Sequence, residues 1–139
     1  MSKGIVRNVS IFIIGGLGYG LIETLFSGAT HWSMLLTGGA VLLTFYYLNR
    51  QFKSAPIFLK ALGGAAVITL YELAVGVVVN LWLGMNVWDY SRLSGDLWGQ
   101  ICPLFTFLWF ILCFFMAAGE YIVSGVYRLF HRNKSAPVS

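Results

Sequence analysis

The sequence predicts an all-α, polytopic membrane protein: four transmembrane helices in a bundle, with both termini on the cytoplasmic side. Three observations predict it. Hydrophobic residues make up 58% of the 139 and charged residues 10%, against roughly 45–50% and about 25% in a soluble globular domain. The chain therefore has too few polar groups to cover a surface in water. Its apolar residues fall into four runs of about 17–24 residues, each long enough to cross a hydrocarbon core of roughly 30 Å. The nine Lys/Arg residues stand at the ends of these runs, not in a patch among polar residues.

The first run covers about residues 9–26. Lys3 and Arg7 precede it, and Ser27-Gly28-Ala29 resembles a signal-peptide cleavage site. Glu23 falls inside the run, so a retained helix is expected. The link 27–31 suits a tight helical hairpin. The second run covers about residues 32–48. Arg50, Lys53, Pro56 and Lys60 follow and form the expected cytoplasmic loop. The third run covers about residues 61–83. An outer loop at 84–98 is polar and aromatic, with Asp89, Arg92 and Asp96. The fourth run covers about residues 100–123, with Pro103 in its first turn, where a missing N–H is harmless. A cytoplasmic tail follows at 128–139, with Arg128, His131, Arg132 and Lys134. The whole chain reads as one membrane domain.

Charge sets the expected orientation. Lys3, Arg7, Arg50, Lys53, Lys60, Arg128, Arg132 and Lys134 fall on one side of the four-span arrangement, and Arg92 alone on the other. Cytoplasmic loops carry the excess of Lys and Arg, so both termini are expected inside, in a bacterial inner membrane. Trp32, Trp82, Trp88 and Trp98 fall near the opposite boundary, as an aromatic belt would. The net charge of +4 is thus a topology signal, and nucleic-acid binding is not expected.

Small residues are placed for close helix packing. Gly16 and Gly20 form a small-xxx-small pair with Gly15 and Gly18 beside them. Ala61, Gly63, Gly64, Ala65 and Ala66 open the third helix, and Ala117, Ala118 and Gly119 lie late in the fourth. Such residues let membrane helices approach closely, within one protomer or along a homo-oligomer seam. The glycine run of helix 1 lacks dinucleotide-binding spacing and no Walker A sequence occurs, so no cofactor is expected. Cys102 and Cys113 would lie roughly 16 Å apart along one helix, too far for a disulfide, and read as buried thiols. No metal site is expected.

Three carboxylates interrupt the apolar runs: Glu23, Glu72 and Glu120. Each costs about 2.5–3.5 kcal/mol at a helix centre on insertion scales, and such groups mark function by default. Glu72 is the strongest case, near the middle of helix 3. Tyr19 stands four residues before Glu23 and shares its helical face, so its hydroxyl is a candidate partner. Glu120 sits near the inner end of helix 4, where an ion pair with Arg7 or Lys60 is expected. His31, in the first outer link, is a weaker candidate. Asp89, within Trp88-Asp89-Tyr90-Ser91, reads as an interfacial turn held by its aromatic flanks or as part of a site.

A resemblance rests on these residues. Glu72-Leu73-Ala74-Val75-Gly76, then Asn80, then Trp88-Asp89-Tyr90-Ser91, then Gly99-Gln100-Ile101-Cys102 and Trp109 resemble the CmpB-like family of small membrane proteins. The stretch is residues 70–110, with Gly18-Tyr19-Gly20 and Glu23 resembling the family's first helix. The resemblance implies a membrane location and the importance of the matched residues. It adds Asn80, Trp88 and Tyr90 to the candidate ion- or ligand-binding set of Glu72, Glu23, Asp89, Tyr19 and His31.

Three functions compete. A transport or channel-like protein would bind a cation, a proton or a cationic solute at Glu23 and Glu72 in a shared cavity. A non-catalytic scaffold, lipid-binding partner or subunit of a larger membrane complex would use the packing glycines. A membrane-embedded enzyme acting on a lipid or isoprenoid would use Asp89, Glu72, Glu23 and His31 as acid–base groups; no Ser/His/Asp arrangement or metal spacing supports it. Membrane lipids are the expected surroundings in every case.

Overall fold

The computed structural model describes residues 2–134, and it is helical throughout its length apart from the links. Helix α1 spans Lys3–Ser27, α2 Trp32–Gln51, α3 Ile57–Gly76 and α4 Pro103–Lys134. A π-helical segment, Val77–Trp82, continues α3. The polar tail beyond residue 134 lies outside the described residues. Among the described residues, α1, α3 with its π-helical continuation, and α4 are long and apolar enough to cross a membrane. Helix α2 carries Ser33, Thr37, Thr44 and Asn49 and falls short by composition. It nevertheless runs along α1, from Leu35 against Gly20 toward one end to Tyr47 on Asn8 toward the other.

The helix ends follow local chemistry. Helix α1 begins at Lys3, ahead of the apolar run, because the Ser2 hydroxyl accepts from the Ile5 N–H at 3.3 Å and caps a free donor. It ends at Gly28, whose φ of 82° permits the left-handed cap that returns its N–H to Thr24. Pro103 opens α4, as its fixed φ favours. That helix runs past the apolar segment because nothing from Arg128 to Arg132 breaks it.

Helix α1 lies on α2 and α3 lies on α4, with α2 bridging to α3. Glycine makes the first contact: a Cβ at Gly15 would stand 2.5 Å from the Gly38 carbonyl oxygen, and one at Gly16 2.6 Å from that of Leu35. The core joins Val41 and Phe45 of α2, Ala61, Ala65 and Ile68 of α3, and Trp109, Cys113 and Ala117 of α4. Both cysteines are free and buried. The basic residues collect where α1 and α3 begin and α2 ends, with Arg7 and Arg50 flanking the Tyr46 ring at 5.5 and 5.7 Å. Glu120 departs from the expected ion pair. It accepts from Asn49 Nδ2 at 3.0 Å, because α2 brings a buried amide to that level before any cation reaches it.

Candidate functional site

The end opposite the basic residues is built by the 84–98 loop folding back over the helices. Asn80 of the π-helical segment anchors it. Its amide donates to Gln100 Oε1 at 2.8 Å and its Oδ1 accepts from the Val87 N–H at 2.7 Å. A π-helical turn rotates side chains off the α-helical register and often marks a functional position. Here it turns Asn80 inward. Asn80 is therefore a loop anchor, and the same holds for Gln100, which is 3% exposed. Trp88 donates to the Gln100 carbonyl at 3.0 Å and lies against Gly76, where a Cβ would meet the indole at 3.0 Å. It thus departs from the belt expectation, while Trp32, Trp82 and Trp98 are exposed.

The loop leaves Asp89 exposed and Tyr90 half-buried. The Asp89 carboxylate accepts from the Ser91 N–H at 2.9 Å, the Asx turn expected of this residue type. That bond holds its pKa below the usual carboxylate value, with a further contribution from Arg92. Its Oδ1 sits over Gly99, where a Cβ would intrude to 2.6 Å and where φ is +71°, so glycine is required twice over. Tyr90 turns inward. Burial first, and the nearby Glu72 carboxylate second, push its phenol well above the ordinary tyrosine value.

Glu72 is the centre of the arrangement. It is 2% exposed and collects donors from three other segments. Tyr19 of α1 donates to Oε1 at 3.0 Å, Trp109 of α4 donates to Oε2 at 3.0 Å, and Tyr90 of the loop approaches Oε1 at 3.5 Å. The expected pairing of Tyr19 with Glu23 is corrected: sharing a helical face does not hold when a hydroxyl can reach a more deeply buried carboxyl. Tyr71 bonds Thr44. Stacked rings join the donors into one wall. Tyr90 lies on Phe105 with centroids 4.5 Å apart and planes 8° apart, Phe105 stands 6.3 Å from Trp109, and Trp109 lies 5.5 Å from Tyr19.

That wall is one side of a cavity of about 580 Å³ between α1 and α4. Glu23 and Asp89 line it, with Ser27 and otherwise apolar or aromatic side chains, and none of the lining residues is Lys, Arg or His. Glu72 is not in the lining. The expectation that Glu23 and Glu72 line one cavity is therefore corrected: Glu23 borders the space, and Glu72 is held behind Tyr19, Tyr90 and Trp109, which border it, because their donors close over its carboxyl. Glu23 keeps one long bond, from Thr30 Oγ1 at 3.5 Å. His31 lies elsewhere. Its Nδ1 accepts from the Ser33 N–H at 3.3 Å and caps α2, and its ring packs on Trp32.

Sequence reasoning left out Trp109 and Gln100 as members of the site. Trp109 carried a signal, since it lies well inside a span and not at a boundary where a belt residue belongs. A family model described as "Putative ABC-transporter type IV" matches residues 10–135, far beyond the 70–110 stretch that carries the resemblance. No curated protein and no solved structure matches the chain.

Proposed function

The chain belongs to the family described as "Putative ABC-transporter type IV", and on that premise we propose that it is a transport or channel-like protein whose carboxylates receive a cation, a proton or a cationic solute. The observation that carries the reading is a cavity bordered by two acids and no basic residue, with a third acid clasped behind its aromatic wall. Carboxylates within a membrane span or at its edge, with no basic residue in the same lining, attract positive charge, and such acids mark ion and solute pathways. The basic end of the bundle faces the cytoplasm, and the cavity lies at the opposite end. The acid–base set of the enzyme reading is weakened at His31, whose ring nitrogen caps α2 and which is not in the cavity lining.

The test is uptake of radiolabelled tetramethylammonium or rubidium into proteoliposomes across a pH series. Glu72→Gln is expected to remove the pH dependence of uptake. Undiminished pH-dependent flux takes Glu72 out of the mechanism.

A second reading, as a subunit of a homo-oligomer or larger membrane complex, draws on the far half of α4. Tyr121, Ile122, Val123, Leu129 and Phe130 are each more than 60% exposed there. Purification in mild detergent followed by mass measurement distinguishes a single chain from a complex.

A further inference from the structure

We infer that the cavity is built for an amphiphile with a cationic head and an apolar tail, and not for a bare inorganic cation; this rests on the cation-binding reading above. Three features point to that ligand. The first is the make-up of the cavity lining. Its only charged lining groups, Glu23 and Asp89, stand among aromatic rings: Phe26, Trp88 and Tyr90 are near them in the chain, and Tyr19, Phe105 and Trp109 form the wall. A small metal cation needs about six oxygen ligands in a close shell, which two carboxylates in an aromatic chamber do not supply. A quaternary ammonium head instead takes its stabilisation from carboxylates and from ring faces within about 6 Å. The indole N–H groups of Trp88 and Trp109 are already committed to Gln100 and Glu72, so their ring systems are what they offer a ligand.

The second feature is a deeper cavity of about 270 Å³ that shares Tyr19, Ile22 and Leu112 with the first. It has no charged lining residue. Gly15, Gly18, Gly38 and Gly64 line it from three helices, together with Ile68 and Met116. An alkyl chain fits such a space, and an ion or a small hydrophilic solute gains nothing from it. The third feature is access. Helices α1 and α4 do not form one of the principal packing pairs, and the first cavity occupies the gap between them. An amphiphile partitions among the acyl chains around the bundle, and a gap between two spans is the entry it would use. A zwitterionic phospholipid head fits poorly, because its phosphate would meet two carboxylates and no basic lining residue.

The experiment uses the full chain in zwitterionic nanodiscs and reads quenching of tryptophan fluorescence on titration with dodecyltrimethylammonium and with tetramethylammonium. Gly18 provides the test variants. A Cβ there meets nothing within 4 Å and Gly18 lines the deeper cavity, so Gly18→Leu and Gly18→Phe keep the helix packing and add bulk at the wall of that cavity. Both variants are expected to weaken dodecyltrimethylammonium binding by about tenfold or more, more for Phe than for Leu, and to leave tetramethylammonium binding unchanged. Dodecylphosphocholine is expected not to displace the cationic probe. If both variants bind both cations as the parent does, or if dodecylphosphocholine competes equally, the amphiphile inference fails while the cation reading stands. If neither cation binds saturably, the cation reading itself fails.

Discussion

Replacing Glu72 with leucine is expected to lower the unfolding free energy by about 1–3 kcal/mol and to abolish uptake. The magnitude follows from what the carboxyl holds. It accepts two bonds of 3.0 Å, from Tyr19 and Trp109, and a longer one from Tyr90. In water-soluble cores each orphaned buried donor costs about 1–3 kcal/mol. Bonds between membrane helices average only about 0.6 kcal/mol, because the unfolded chain in the bilayer also finds partners. Tyr19, Tyr90 and Trp109 border the cavity and can turn to water when Glu72 is gone, so the lower range applies. Removing the carboxyl also removes the cost of burying it. The net loss is measured by unfolding in mixed micelles. A leucine variant as stable as the parent would mean that the clasp does not hold α1, α3 and α4 together. Tyr19→Phe removes one donor and is expected to cost a fraction of the same loss.

Gly15→Leu is expected to do more damage, costing over about 3 kcal/mol or preventing insertion of a folded bundle. Its Cβ would stand 2.5 Å from the Gly38 carbonyl oxygen and 2.6 Å from the Leu42 Cβ. Neither is the far end of a flexible side chain, so α1 and α2 must separate. Ordinary overpacking costs about 1–3 kcal/mol, and displacing a helix along its contact adds to that. Gly18→Leu, three residues on, is the internal control. It meets nothing, and replacing a helical glycine gains about 0.5–1 kcal/mol. The pair is compared by thermal unfolding in detergent. Equal melting temperatures would show that the glycine contact is not what brings α1 to α2.

The helices were legible because composition and length alone decide them in lipid. Glu72 was legible for the same reason, since a carboxyl in the middle of a span is costly enough to stand out. What it bonds to was not. Tyr19 has a nearer carboxyl on its own helix, and only the assembled bundle shows that its hydroxyl reaches Glu72 instead. Trp109 and Gln100 are far from Glu72 and Asn80 in sequence, and their roles depend on how the loop folds back. The π-helical turn at Val77–Trp82 leaves no mark in an apolar run, because hydrophobicity does not distinguish five-residue from four-residue hydrogen bonding. The bond from Asn49 to Glu120 is not legible, because a buried amide on another helix competes with the cations that charge alone points to. The role of His31 is not legible either, since its ring nitrogen caps α2 and its ring packs on Trp32.

The most direct measurement is tetramethylammonium uptake into proteoliposomes by a Glu23→Gln/Asp89→Asn double variant. Glu23 keeps one bond of 3.5 Å and Asp89 is exposed, so the fold tolerates both changes, and a melting temperature equal to the parent's verifies this. The cavity account predicts that uptake falls to the level of protein-free liposomes while the folded state persists. Uptake at the parent's rate by the folded double variant would contradict it.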